Sequence, residues 1–190
     1  MNDFPVIGVV GPPASGKTEV ASKFEDLGAV RIRMGDIAWE EVKKRGLEVN
    51  EKNVGKVSNE LREEEGMGAV AKHCIPVIKE GVKENKPVVV DGIRGIAEVE
   101  VFEEEFGDNF VLISVEAPPE VRYSRVRGRG REDDTVDWKS FKEKDSRERN
   151  WGLEEAMESS DYRIVNICSL DELEKRTSEI YREVMDEYSN

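Results

Sequence analysis

Histidine and cysteine are scarce in this chain: among 190 residues there is one histidine, His73, and there are two cysteines, Cys74 and Cys168. A single histidine removes Ser-His-Asp hydrolysis and multi-histidine metal chemistry unless His73 itself serves, because both need several side chains converging on one point. The cysteines form no C-x-x-C and have no histidine pair nearby, so neither a disulfide framework nor a zinc site is indicated. A reducing cytoplasm is therefore the expected compartment. No apolar run approaches the roughly 18 residues of a membrane span, and Met1-Asn2-Asp3-Phe4-Pro5 lacks a basic leader region. The expectation is a protein that is neither secreted nor membrane-spanning. Positive charge is in deficit too, with 29 basic residues against 42 acidic ones and a net charge of −13. Such a surface repels polyanions, so nucleic acid and anionic membranes are not expected partners.

What is present suits a folded chain. Hydrophobic residues make up 37% and charged residues 37%, and the apolar runs recur along the whole length, unlike a disordered composition. The length points to one domain, 1–190, with inserted lobes. Five short apolar runs alternate with amphipathic stretches: Val6 to Val10, Ala29 to Arg33, Val88 to Val90, Phe110 to Val115 and Tyr162 to Val165. The first, third and fourth are nearly continuous and β-branched, as expected of strands buried on both faces of a parallel sheet. Val20, Ala21, Phe24 and Leu27 share one helical face that Gly28 ends, and Leu170, Leu173, Thr177, Ile180, Val184 and Tyr188 form a stripe near the C-terminus. Ser169-Leu170-Asp171-Glu172 has the spacing of a capping box. Alternating strand and helix predicts an α/β fold of βαβ units. Two stretches exceed a minimal repeat. Residues 36–85 read as two or three helices broken by Gly46, Gly55, Gly66 and Gly68, and residues 119–150 hold an arginine-dense segment followed by a helix of mixed charge.

The sharpest pattern is Gly11-Pro12-Pro13-Ala14-Ser15-Gly16-Lys17-Thr18, a complete G-x-x-x-x-G-K-[ST]. The glycines let the backbone curl so that successive amides converge on a nucleotide β-phosphate. Lys17 reaches the β- and γ-phosphates, the Thr18 hydroxyl ligates Mg²⁺, and the next helix points its positive end at the same anion. The pattern follows an apolar strand and opens an amphipathic helix, which is the context that gives it meaning. ATP with Mg²⁺ is the expected cofactor pair.

A phosphate loop also needs an acid at the tip of a neighbouring strand for the metal's water shell. Asp91, ending Val88-Val89-Val90-Asp91, fits that role, or caps the helix that follows. Asp36, in Met34-Gly35-Asp36, is either an acceptor-side carboxylate or the N-cap of its own helix. Residues 122–131 carry five arginines, Arg122, Arg125, Arg127, Arg129 and Arg131, with no acid among them. Arginines so crowded repel one another unless they meet an anion. Closing over a transferring phosphoryl group would meet that need, with Gly128 and Gly130 letting the segment move as a lid. Pairing with the acids from Glu132 to Asp137, or an RNA patch, are the other readings.

Together these motifs resemble the nucleoside-monophosphate-kinase group of P-loop kinases, and in particular an archaeal branch related to adenylate kinases and dephospho-CoA kinases. The resemblance covers nearly the whole chain. It implies a three-layer P-loop NTPase fold with a five-stranded parallel sheet flanked by helices. Core segments would be 1–35, 86–118 and 151–190, with an acceptor-binding lobe at 36–85 and a lid at 119–150. Met34-Gly35-Asp36 sits where adenylate kinases open the acceptor lobe, and Asp91-Gly92-Ile93-Arg94 is similar to their Asp-Gly-x-Pro-Arg, which implies that Arg94 contacts acceptor phosphate. Arg125, Arg129 and Gly130-Arg131-Glu132-Asp133-Asp134 resemble the lid, and Arg147 is placed like the arginine on its exit helix, which with Lys17 would make the catalytic set. Asp161 to Asn166 resembles the last strand, whose following loop packs on adenine. Leu61-Arg62-Glu63-Glu64-Glu65-Gly66 also belongs to the resemblance, although Arg62 on so acidic a helix reads first as an intrahelical ion pair. Two departures fall on the acceptor side: Trp39 stands where an arginine is usual, and the proline of Asp-Gly-x-Pro-Arg is absent. Trp39 is either core or a stacking platform for the acceptor.

The resulting expectation is an ATP- and Mg²⁺-dependent phosphotransferase with a small-molecule nucleotide acceptor, a nucleoside or deoxynucleoside monophosphate. Dephospho-CoA is the alternative acceptor. A P-loop ATPase that acts as a switch or assembly factor, with a macromolecular partner, is the alternative class.

Overall fold

The computed structural model describes residues 4–129 and 137–188. Strands β1 (Val6–Val10), β2 (Val30–Arg33), β3 (Val88–Ile93), β4 (Phe110–Glu116) and β5 (Tyr162–Val165) form one sheet in the order β2-β3-β1-β4-β5. Every neighbouring pair is parallel. The helices are α1 (Lys17–Asp26), α2 (Met34–Lys44), α3 (Glu51–Glu65), α4 (Ala69–Val82), α5 (Ile96–Phe106), α6 (Pro119–Arg129), α7 (Trp138–Glu148), α8 (Glu154–Glu158) and α9 (Leu170–Tyr188). A kink over Arg149–Leu153, where Gly152 turns to φ +78°, joins α7 to α8.

The continuous apolar strands are explained by burial on both faces. Val6 and Val10 of β1 pack with Val70, Cys74 and Ile78 of α4 and Phe102 of α5. Ile7 and Val9, pointing the other way, pack with Val20 and Phe24 of α1 and Leu173 and Val184 of α9. The result is a three-layer α/β/α core, the expected consequence of period-two side chains on a covered sheet. Helices α2, α3 and α4 share a smaller cluster of Val42, Val57, Leu61 and Ala69. Burial pushes the Cys74 thiol up to about 12, which makes it a packing residue and no nucleophile. His73 lies at the surface against Glu65, 2.9 Å away.

Several local expectations shift. Leu27 caps α1 and is exposed, so the buried face of that helix is Val20, Ala21 and Phe24 only. Gly55 lies inside α3 and does not break it, and Gly128 lies in the last turn of α6. Leu170 is exposed, so the α9 stripe starts at Leu173. The capping box does form: the Ser169 amide donates to Glu172 Oε2 at 3.0 Å, and the Glu172 amide donates to Ser169 Oγ at 3.3 Å. Ser169→Ala should therefore cost about 1 kcal/mol, read as a lower melting temperature with an unchanged far-UV spectrum.

Strand ends gather the chemistry. The carboxyl ends of β1, β2 and β3 lead into Gly11, Met34 and Arg94. Asp91 is paired in register with Val9 on one side and Arg33 on the other. Parallel α/β sheets take their ligands at such an edge.

Candidate active site

The loop between β1 and α1 has a shape that only a few residue types tolerate. Gly11 has φ +154°, and a Cβ there would stand 2.2 Å from the Val115 carbonyl oxygen. Gly16 has φ +107°, and a Cβ there would stand 2.3 Å from Asn166 Nδ2. Ala14 adopts φ +59° without being glycine, a conformation that persists only when its surroundings hold it. Two donors supply that hold through three hydrogen bonds. Arg125 Nη1 donates to the carbonyls of Ala14 (3.3 Å) and Ser15 (3.2 Å), and Asn166 Nδ2 donates to Ser15 at 2.7 Å. Arg125 Nη2 in turn donates to Asn166 O and Oδ1, both at 3.1 Å.

Lys17 spans the same loop, its Nζ donating to Gly11 O at 2.5 Å and Pro12 O at 2.9 Å. Gly16 caps α1 with no side-chain acceptor. The first-turn amides of α1 thus face outward toward the loop's concave side, as an anion-binding terminus requires. Ser15 is fully buried and its Oγ has no hydrogen-bond partner among the described residues. Uncapped amides, an orphaned hydroxyl and a lysine folded over the loop fit a polyphosphate. Pro12 and Pro13 sit between the two glycines and stiffen the turn.

The metal candidates have a neighbour that was not foreseen. Thr18 is exposed on the first turn of α1. Asp91 is 8% exposed at the carboxyl edge of β3, and Arg31 Nη2 donates to its Oδ2 at 2.5 Å. Among the described residues no group of three or more His, Cys, Asp or Glu side chains could hold a metal. Magnesium in phosphate sites takes one or two protein oxygens and completes its shell with water and phosphate, a need that Thr18 and Asp91 would fit without a cluster. Asp91 is no helix cap: α5 begins at Ile96 with Gly95 at its N-cap.

The arginines divide. Arg122 is fully buried and forms a two-pronged pair with Asp145, at 2.5 and 2.8 Å, while donating to Ala117 O (3.0 Å) and Pro13 O (3.3 Å). The expectation that these arginines lack acidic partners fails here, because Asp145 comes from α7, well outside the segment. Arg125 is half-buried and spends its guanidinium on the loop carbonyls, which makes it a positioning residue in this arrangement. Arg127 is exposed. Arg131 and the side chains of Arg129 and Arg147 lie outside the described residues.

On the acceptor side, α2 starts at Met34 with Arg33 as its N-cap, so Asp36 is exposed within the first turn and is not the cap. Trp39 is half-buried and belongs to none of the three apolar clusters. Arg94 is exposed directly after β3. Among the described residues Arg62 makes no intrahelical pair. Its guanidinium crosses to Glu98 of α5 at 3.7 Å and lies 5.2 Å from the centre of the Trp151 ring. Glu98 is 3% exposed and accepts the Arg94 backbone amide at 2.7 Å. Burial pushes the Glu98 carboxyl up, opposed by that amide and by Arg62 and Arg94. Sequence reasoning missed Arg31, Glu98, Asp145, Trp151 and Asn166. Of these only Glu98 left a signal, a glutamate three residues after Gly95 at the spacing of a helix-start acid.

Comparison with known proteins places this geometry. A family model described as an AAA domain matches residues 7–150. A UPF0200 protein of Methanosarcina mazei is 48% identical over 92% of this chain and 92% of its own length. The chain belongs to the UPF0200 family. Another member, from Thermococcus onnurineus, is 40% identical over 96% of this chain and all of its own length. A UPF0200/UPF0201 protein of Archaeoglobus fulgidus is 49% identical over 94% of this chain, which spans only 55% of that longer relative. Among solved structures, TT1252 of Thermus thermophilus matches with a TM-score of 0.67 at 20% identity, covering 95% of this chain and 98% of its own. Dephospho-CoA kinase from Campylobacter jejuni matches at 0.65 and 16% identity over 98% of both chains. Shikimate kinase from Acinetobacter baumannii matches at 0.60 and 18% identity over 96% and 95%. This UPF0200 chain therefore has the P-loop kinase-like fold that its motifs resemble, and that fold implies nucleotide binding. No helix among the described residues is long and apolar enough to cross a membrane.

Proposed function

We propose that the chain is an ATP- and Mg²⁺-dependent phosphotransferase whose acceptor is nucleotide-like, a nucleoside or deoxynucleoside monophosphate. The observation that carries this reading is the loop over the uncapped start of α1, clamped by Arg125 and Asn166 and flanked by Asp91. The kinases among the structural neighbours lend it support at the level of fold.

Lys17, the α1 amides and Ser15 Oγ would hold the polyphosphate, and Thr18 and Asp91 the cation. Bound there, Mg²⁺ would neutralise charge on the phosphate oxygens. The chain's own contribution is positioning: loop amides fixed before substrate arrives, with Arg125 and Arg122 holding the carbonyls so that the amides point inward. Residues 36–85 would serve as the acceptor lobe and 119–150 as the lid, with Arg129, Arg131 and Arg147 as the arginines available to the transferring group. Closure of these segments would exclude water and suppress idle hydrolysis.

Dephospho-CoA is the second reading. Exposed Asp36 at the same sheet edge as Asp91 offers a carboxylate to a hydroxyl acceptor, which benefits from a general base.

The test is ADP release from Mg·ATP with nucleoside monophosphates, their deoxy forms and dephospho-CoA added one at a time. Stimulation by one of the monophosphates is the expected result. Stimulation by dephospho-CoA alone selects the second reading. Slow hydrolysis that no small acceptor changes overturns both and leaves the partner-dependent ATPase.

A further inference from the structure

Two arginine–aspartate pairs are buried in this fold, and they are built differently. Arg122 closes on Asp145 with both prongs, at 2.5 and 2.8 Å, so that each carboxylate oxygen is taken. Arg31 meets Asp91 with one prong only, Nη2 donating to Oδ2 at 2.5 Å, although the two side chains are only 5% and 10% exposed. Arg31 Nε is buried and has no hydrogen-bond partner among the described residues. A fork engaging both carboxylate oxygens is the stronger geometry for such a pair. The single prong instead leaves Asp91 Oδ1 without a hydrogen bond or ion pair to any described residue.

The sheet places this open pair. Arg31 of β2 is in register with Val89 of β3, and Asp91 lies two residues further along that strand. Period-two alternation puts Arg31, Val89 and Asp91 on one face, the face on which Val89 shares a cluster with Val20 and Phe24 of α1. Arg31 Nη1 also lies 3.5 Å from Glu25 Oε2 of α1, the helix whose first turn carries Lys17 and Thr18. Two carboxylates and one guanidinium leave this trio a net charge of −1. A cation approaching Oδ1 therefore still meets a negative group, although a guanidinium stands behind it. Against the residual repulsion stands preorganisation: a ligating carboxylate whose far side is hydrogen-bonded holds its metal better by roughly 10–100-fold.

We infer that Arg31 is a positioning residue for the metal-side carboxylate, occupying Asp91 Oδ2 so that Oδ1 alone is presented to a divalent cation carried by the nucleotide. The inference deepens the phosphotransferase reading and rests on it for the cation. A pair that served stability alone would close with both prongs, as Arg122 and Asp145 do.

The experiment titrates the full chain calorimetrically with the imido analogue of ATP, once in saturating Mg²⁺ and once in EDTA. The ratio of the two dissociation constants reports what the cation contributes through the protein. Mg²⁺ should tighten binding to the parent, and Asp91→Asn should abolish most of that tightening. Arg31→Met should lose about tenfold of it, while the constant in EDTA stays within about twofold of the parent. A mere strut would weaken both constants together. Because Arg31→Met strands a buried carboxylate, Arg31→Lys is measured beside it. The lysine keeps a cation there without the rigid plane, so this variant should fold and still lose part of the Mg²⁺ effect. The double variant Arg31→Met with Asp91→Asn should match Asp91→Asn alone, since effects that pass through one carboxylate do not add. Undiminished Mg²⁺ tightening in both Arg31→Met and Arg31→Lys overturns the proposal. Increased tightening, the result if the guanidinium only repels the cation, overturns it too, as does a double variant weaker in Mg²⁺ than Asp91→Asn. Absence of any Mg²⁺ effect in the parent overturns the phosphotransferase reading and the proposal with it, a failure recognisable before any substitution is made.

Discussion

Lys17→Ala should lower acceptor-dependent ADP formation by roughly 10²–10³-fold, the loss seen when one preorganised charge-stabilising donor is removed. The side chain is only part of the loop's scaffold. Its Nζ bonds Gly11 O and Pro12 O, but the strained Ala14 turn is held independently by Arg125 and Asn166, and the α1 amides need no lysine to point outward. The variant should therefore fold with a melting temperature close to that of the parent and retain weaker nucleotide binding. The split between a large loss of turnover and a small loss of stability is what separates a catalytic charge from a structural strut. Undiminished ADP formation in a folded Lys17→Ala protein would refute the phosphate-loop chemistry altogether. Loss of folding would instead mean that the two carbonyl contacts carry the loop, against the geometry of the Arg125–Asn166 clamp.

The contrast between that loop and its clamp shows what could be read in advance. Gly11 to Thr18 is legible because its constraints are local: two positive-φ positions, a lysine and a hydroxyl at fixed spacing between strand and helix. The same is true of β1, β3 and β4, whose apolar continuity reports burial on two faces, and of Ser169 with Glu172, which close a cap across three residues. Asn166 is different. It reaches Ser15 across 151 positions, and an asparagine after a strand carries no mark of where its amide will land. Arg62 shows the opposite failure. Acids surround it in sequence, so a local pair was the natural expectation, yet helix α3 turns it toward α5, and its partner is Glu98. Gly55 reads as a break because glycine disfavours helix, but the cost is only about 1 kcal/mol, which burial of Val57 and Leu61 in α3 outweighs. Distance in sequence, rather than weakness of interaction, hid half of the site.

Arg122→Ala is expected to cost about 3–5 kcal/mol, the penalty for stripping the two-pronged partner from a buried charge, with Arg149 Nε, 3.5 Å from Asp145 Oδ2, left as the weaker second cation. At roughly 2–4 °C per kcal/mol for a chain of this size, the melting temperature should fall by about 6–20 °C. The side chain is the largest of the fully buried ones, its pair with Asp145 has both prongs, and the Phe141 ring lies 5.3 Å from its guanidinium. Its remaining donors tie α6 to Ala117 and to Pro13 of the phosphate loop. Stability and loop geometry can be separated with a second variant. Replacing the pair together, Arg122→Met with Asp145→Leu, leaves no orphaned charge, and such hydrophobic replacements are often neutral or stabilising. Most of the lost melting temperature should return in the double variant. The Pro13 contact would not return, so Mg·ATP affinity should stay weakened in both proteins. If affinity recovers together with stability, Arg122 is a fastener between α6 and α7 and nothing more. If affinity stays low in a protein as stable as the parent, the buried arginine holds the loop in the shape that receives phosphate.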